Sequence, residues 1–274
     1  MGKVEPALAV IGGGAMAQAI LGGAAQSGVL AGPLCVADPN ETCRERFEIS
    51  VSTAREAVEW LTEHEGERGS GQIMLAVKPQ MLPAVGDEIA DLVGDRVVIS
   101  ILAGAGGKLI RSTLGGNCRV VRVMPNTPAQ IMRGMTAIAA SVGASEADTK
   151  FAQALFESVG SVIRIDESMM DAFTAVAGSG PAYVFYLAEA MARGALDVGF
   201  DEQTAARIVT ETVSGAAELL RQDPASAPEL RQRVTSKKGT TQAATDSFDA
   251  SGVMDAIAKG VVAARDRGIE LGQG

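Results

Sequence analysis

The sequence predicts two domains of different class, a doubly wound α/β domain over residues 1–166 and an all-helical domain over residues 167–274. Three observations carry that prediction. In the first part, short continuous apolar runs alternate with amphipathic stretches, the pattern of parallel strands covered by helices on both faces. After Asp166 the strand-like runs vanish, and Ala-rich segments with helical spacing take over. The chain has 274 residues, 47% of them hydrophobic, enough for two units and a sizeable core.

Taken in order, strands are expected over 7–11, 34–37, 73–77, 97–101 and 119–123, with helices between them. From Gly134 an apolar run reaches Ala140, followed by a helix from about Ser145 to Val159 and a last short strand over 162–165. In the second domain the clearest helices are 183–198 and 204–220, separated from the rest by a Pro/Ala linker over 223–228. Ala182, Val184, Phe185, Leu187, Ala188 and Met191 put apolar groups on most faces of the first of these helices, more than a small bundle can bury alone. A homodimer or higher homo-oligomer formed through the helical domain is the expected cover.

Composition removes several classes of function. A net charge of −9 and a pI near 4.8 repel a phosphate backbone, and no Lys/Arg run forms a basic stripe, so nucleic acid is not an expected partner. Cys35, Cys43 and Cys118 form no C-x-x-C pair, so neither a disulfide framework nor a metal site is expected. A reducing, cytoplasmic setting fits. Residues 7–37 carry no charge, yet their glycines, Gln18 and Gln26 fit a buried strand, turn and helix rather than a signal peptide or membrane span. Met1-Gly2 is followed by Pro6 where a myristoylation signal needs Ser or Thr.

The first turn reads Gly12-x-Gly14-x-x-Ala17, directly after a strand and opening a helix. Gly12 permits the tight turn, Gly14 lets backbone approach a pyrophosphate, and Ala17 lets the helix pack close to the strand, the Rossmann-like arrangement for a dinucleotide. Ile11, Gly13, Ala15 and Met16 complete the stretch that meets the phosphates. Asp38, at the end of the second strand, suits the adenosine ribose and NAD, whereas nearby Arg44 and Arg46 suit a 2′-phosphate. A helix N-cap role for Asp38 or Asn40 fits equally well, and NADH and NADPH both stay open.

Further along, Ala76-Val77-Lys78-Pro79 ends a strand at the carboxyl edge of the sheet, where ligands of doubly wound folds bind. Met124-Pro125-Asn126-Thr127-Pro128 is a rigid turn at the same edge. Residues 236–241 form a Ser/Gly/Thr-rich turn opening a helix, whose free N–H groups suit a carboxylate as well as a plain cap.

Six segments, in this order, resemble the pyrroline-5-carboxylate reductase family: GGGAMAQAI (12–20), LAVKPQ (75–80), SILAG (100–104), RVMPNTPAQIMRGMTAI (122–138), GSGPAYVF (178–185) and VTSKKGTT (234–241). The resemblance runs almost the whole chain. It implies reduction of 1-pyrroline-5-carboxylate to L-proline with hydride from NADPH or NADH, the last step of proline biosynthesis. It also implies that Ala76, Val77, Lys78, Pro79, Ala103, Gly104, Pro125 and Asn126 flank the cofactor ribose and nicotinamide. Ser236, Gly239, Thr240 and Thr241 would hold the substrate carboxylate, with the Thr241 hydroxyl on the ring nitrogen as the catalytic contact.

The chain departs from the family pattern in three places. Lys237 and Lys238 replace the usual Pro-Gly after the serine, Ala54 stands where Asn is usual, and the acidic loop 62–71 is longer. His64, the single histidine, falls in that loop and is expected to face solvent. The sequence contains no H-E-x-x-H and no G-x-S-x-G, which suits chemistry on an already electrophilic imine. The alternatives are a reductase of a related cyclic imine, a β-hydroxyacid dehydrogenase, and a cofactor-binding regulator without catalysis. The dehydrogenase would need a lysine in its Gly-rich helix, and residues 178–183 contain none.

Overall fold

The computed structural model of the chain describes residues 6–67 and 69–273; the Met1-Gly2 pair considered for lipidation lies outside them. The described chain forms two compact units, one running to Ser179 and taking in the C-terminal segment from Ala264, the other spanning Gly180–Ala263.

The first unit is built on β1 (Leu8–Ile11), α1 (Ala15–Gln26), β2 (Leu34–Ala37), α2 (Glu41–Arg44), β3 (Ser50–Val51), α3 (Ala54–His64), β4 (Gln72–Leu75), α4 (Leu82–Ile89), β5 (Val97–Ser100), α5 (Gly107–Thr113), β6 (Arg119–Met124), β7 (Gly134–Ala140), α6 (Thr149–Glu157), β8 (Gly160–Arg164) and α7 (Met170–Phe173). The strands make one sheet in the order β3-β2-β1-β4-β5-β6-β7-β8. This is the doubly wound, Rossmann-like α/β fold that the alternating pattern implies. Its order reverses between β1 and β4, which opens a crevice at their carboxyl ends.

Both faces of the sheet are buried. Ala9, Ile11, Ile73, Leu75 and Val98 face α3, α4 and α5, while Leu8, Val10, Met74, Ile99 and Val121 face α1 and α6. That is why the central strands read as unbroken apolar runs instead of alternating ones.

Some details differ from the sequence reading. The short strand β3 is an addition to the expected set, and β7 runs antiparallel to β6. Only residues 125–133 join those two strands, too few for the crossover that a parallel pair needs. α6 begins at Thr149, because Asp148 first accepts the Ser145 N–H and hydroxyl and holds the chain in a turn. The long loop after α3 is anchored by a buried pair: the Glu65 carboxylate accepts from Arg96 Nε and Nη2 and from the Gly69 and Gly71 N–H groups. Burial pushes the Glu65 carboxyl upward, but those donors outweigh it and hold the group below the usual carboxylate range. His64 is exposed, with its ring stacked on Trp60 at 4.4 Å.

The second unit is helical throughout: α8 (Gly180–Asp197), α9 (Glu202–Gln222), α10 (Ala227–Arg233), α11 (Thr240–Ala250) and the greater part of α12 (Val253–Gln273). Asp201 caps α9 by accepting the Thr204 N–H. The stretch read as a linker is a tight helix-to-helix turn instead. Ser226 and Glu229 form a capping box, Pro228 sits in the first turn of α10, and Asp223 accepts from the Ala225 N–H and from Arg233. Ala205 and Val209 of this unit are buried, whereas Phe185 and Tyr186 of α8 are 67% and 76% exposed. No helix among the described residues is long and apolar enough to cross a membrane.

Candidate active site

The site is built first from backbone. Gly12 N–H donates to Ala37 O and Ala76 N–H to Ile11 O, each at 2.8 Å, so the ends of β1, β2 and β4 are tied into one rim. Gly12 has φ +105°, and a Cβ there would lie 2.6 Å from Ala76 O. No other residue fits that turn. Gly14 faces open space, with nothing within 4 Å of a Cβ built on it. It caps α1 without a side-chain hydrogen bond, and the first turn of α1 holds no acidic residue. Ala15 is exposed and Met16 half-buried beside it, so this helix start presents N–H groups and a positive dipole end to the crevice. The arrangement fits a pyrophosphate.

Asp38 closes the turn from the side. Its Oδ2 accepts the Gly13 N–H at 2.8 Å and its Oδ1 the Asn40 N–H at 2.9 Å, leaving further lone pairs on both oxygens. The N-cap of α2 is Asn40, which accepts the Thr42 N–H. Arg44 turns inward and donates to Asp38 O and Pro39 O, while Arg46 lies beyond it on the side of α1 that holds Gln18 and Gly22.

Along the rest of the rim, Ala76 and Val77 are half-buried past the end of β4, and Lys78 and Pro79 are exposed where a turn of 3-10 helix, Pro79–Met81, begins. Ala103 is exposed in the loop after β5, and Gly104 beside it, at φ +73°, packs near Leu271. Pro125 and Asn126 are buried. The Asn126 side chain is committed inside the protein: its amide donates to Ala177 O and its oxygen accepts the Met135 N–H. It therefore braces the π-helical turn Thr174–Gly178 against β7, and what it offers to the rim is backbone. Among the residues expected at the cofactor, the structure brings those of the first unit to one carboxyl edge of the sheet.

The turn 236–239 belongs to the second unit. Gly239 N–H donates to Ser236 O at 3.0 Å, and a Cβ at 239 would meet Ser236 Oγ at 2.4 Å. Gly239 caps α11 with no side-chain hydrogen bond and no acid in the first turn, so the N–H groups of Thr240 and Thr241 begin the helix uncapped. Lys238 adopts φ +62°, with its N–H on Gln242 Oε1 at 2.7 Å. Ser236 is exposed and Thr241 half-buried. The turn is chemically suited to a carboxylate, with a hydroxyl one residue into the helix.

The chain is similar to known proteins over nearly its whole length. Residues 167–271 match the family model described as pyrroline-5-carboxylate reductase dimerisation, and residues 7–104 match that described as NADP oxidoreductase coenzyme F420-dependent. A pyrroline-5-carboxylate reductase of Pseudomonas aeruginosa is 36% identical over 270 residues, which is 98% of this chain and 97% of the relative. The chain belongs to the pyrroline-5-carboxylate reductase family. The solved pyrroline-5-carboxylate reductase of Coxiella burnetii is similar at TM-score 0.84 and 29% identity, covering 97% of this chain and 98% of the other. A pyrroline carboxylate reductase of Plasmodium falciparum, solved with NADP bound, shares the fold at TM-score 0.82 and 24% identity over 98% and 99% of the two chains.

Within this member of the family, sequence reasoning overlooked a polar cluster beneath the rim, made of Arg122, Ser141 and Glu167. The signal was present. Arg122 interrupts a strand of valines, and a strand buried on both faces cannot hold a charge without a partner.

Proposed function

We propose that this chain reduces 1-pyrroline-5-carboxylate to L-proline, taking hydride from NADPH or NADH. The observation that carries the reading is a pair of uncapped helix starts, at Gly14 and at Gly239, in a chain that belongs to one reductase family along nearly its whole length. The first unit holds the dinucleotide: the N–H groups at Gly14, Ala15 and Met16 take the pyrophosphate, and Asp38 takes the adenosine ribose. Ala76, Val77, Lys78, Pro79, Ala103, Gly104, Pro125 and the Asn126 backbone form the wall for the nicotinamide end. When bound, the reduced nicotinamide supplies the hydride.

The turn of Ser236, Gly239, Thr240 and Thr241 anchors the substrate carboxylate. The Thr241 hydroxyl bonds the ring nitrogen and holds the protonated imine carbon toward the incoming hydride. As the new C–H bond forms, the C=N π pair moves onto nitrogen, and the cyclic amine results. No nucleophile is needed, so positioning is the main contribution of the protein.

On this reading residues 1–166 form the dinucleotide domain and residues 167–274 the substrate and dimerisation domain, although 167–179 and the segment from Ala264 pack with the first unit. The protein works as a cytoplasmic homodimer or larger homo-oligomer. The exposed apolar face of α8 supports that assembly.

A spectrophotometric assay with both cofactors tests the proposal against pyrroline-5-carboxylate, pyrroline-2-carboxylate and a hydroxyacid. Oxidation of the dinucleotide that depends on pyrroline-5-carboxylate is expected. Turnover of the hydroxyacid alone would refute the proposal. Lys237 and Lys238, which stand where the family pattern has Pro-Gly, favour one second reading, a reductase of a related cyclic imine, which the pyrroline-2-carboxylate arm of the panel separates.

A further inference from the structure

Three elements of the first unit converge on Glu167, the residue that opens the helical turn Glu167–Met169 after β8. Its Oε1 accepts the Gly107 N–H at 2.8 Å, its Oε2 accepts the Ser141 hydroxyl at 2.5 Å, and Arg122 Nη1 stands 3.5 Å away. Gly107 is the first residue of α5, so this bond secures the far end of the loop that carries Ala103 and Gly104. The near end leaves β5, where Ser100 Oγ accepts the Leu102 N–H at 3.3 Å. A Cβ at position 107 would lie 1.8 Å from Ser141 Oγ, so only glycine allows the carboxylate, the hydroxyl and the loop backbone to meet. The Arg122 side chain is 9% exposed, and Glu167 is the carboxylate that compensates it.

Given the reductase activity proposed above, on which this role rests, we propose that Glu167 is a positioning residue for hydride transfer. By holding the Gly107 N–H it sets the loop 101–106 in place, and with it the wall at Ala103 and Gly104 against which the nicotinamide lies. The pyrophosphate is gripped separately, at the glycine turn after β1. Loosening the loop therefore costs alignment at the reacting end and spares the grip on the dinucleotide.

The test compares Glu167→Ala, Glu167→Gln and the double variant Glu167→Ala with Arg122→Leu, which removes the charge that the single alanine change strands. Each is measured for kcat, for nucleotide dissociation constant and for amide hydrogen exchange over 102–108. In Glu167→Ala and in the double variant, kcat should fall roughly 10- to 100-fold, the scale of a misplacement near 1 Å, with the dissociation constant unchanged. Exchange over 102–108 should accelerate in both. Glu167→Gln should restore most of the rate, since its amide can accept from Gly107 and donate to Ser141.

A folded double variant with the wild-type kcat would overturn the role, as would a glutamine variant as damaged as alanine. Unchanged exchange in an active enzyme would remove the anchor alone. Accelerated exchange in a chain whose wild type does not reduce the imine would sink the reductase reading, and the catalytic meaning of Glu167 with it.

Discussion

The two turns that open α1 and α11 offer the same group, an uncapped helix start, yet they are built to different tolerances. At Gly12 the limit is backbone against backbone: φ is +105°, the residue is buried, and a Cβ would enter the carbonyl of Ala76. At residues 236–239 the closest approach is to a side chain: a Cβ at 239 would lie 2.4 Å from the Ser236 hydroxyl, which can rotate away, and 3.0 Å from the Ser236 carbonyl, which needs a much smaller shift than the carbonyl of Ala76. The exposed turn also carries Lys238 in a left-handed conformation that glycine would adopt at less cost. A turn sealed in the sheet leaves no room for substitution, whereas a solvent-facing turn can absorb one.

Four substitutions can sharpen or break that contrast. Gly12→Ala should do the most damage, costing about 3 kcal/mol of stability through strain and overlap and abolishing measurable dinucleotide binding. Thermal unfolding and nucleotide titration check it, and near-normal binding would show that the rim yields more than the geometry allows. Thr241→Ala should come next. Loss of a hydrogen bond to a charged ring nitrogen, worth about 1.5–3 kcal/mol, predicts a kcat lower by roughly 10- to 100-fold. Its nucleotide dissociation constant should stay at the wild-type value, and equal damage to both would contradict the role given to the hydroxyl.

Gly239→Ala should be milder than Gly12→Ala. The rotatable serine predicts a KM for the imine raised about tenfold, near 1.4 kcal/mol, in a protein that melts normally. An effect as large as that of Gly12→Ala would erase the distinction between the two turns. The smallest effect belongs to Lys238→Gly, which should gain about 1 kcal/mol by relieving the left-handed lysine and raise Tm by about 2–4 °C. A KM that rises in this variant only at low ionic strength would show that the lysine charge also draws in an anionic substrate.

Much of the first unit is legible in the amino-acid order. Unbroken apolar strands, the glycine turn and the acidic residue after β2 all follow from local rules, and the doubly wound sheet follows from their alternation. Asp38 is harder to read, because its carboxylate serves the Gly13 and Asn40 N–H groups at once, a fact of three-dimensional approach. Asn126 shows the same limit. Its place in a proline-flanked turn is plain from sequence, but its amide spans residues 135 and 177, which no spacing rule connects. The antiparallel turn into β7 is legible in the nine-residue connection 125–133, which is too short for the crossover that a parallel pair needs.

The amino-acid order alone settled the class of each unit, the position of the glycine turn after β1 and the resemblance that names the family, because those depend on periodicity and on residues adjacent in the chain. Tertiary structure decided which polar groups are spent inside the protein. Glu167 meeting Gly107 and Ser141, Glu65 meeting Arg96, and Asn126 bracing a π-helical turn all join residues far apart in sequence. In each of those partnerships at least one polar partner is buried, and an unpaired polar group taken out of water is costly, so only the packed chain reveals which groups must meet.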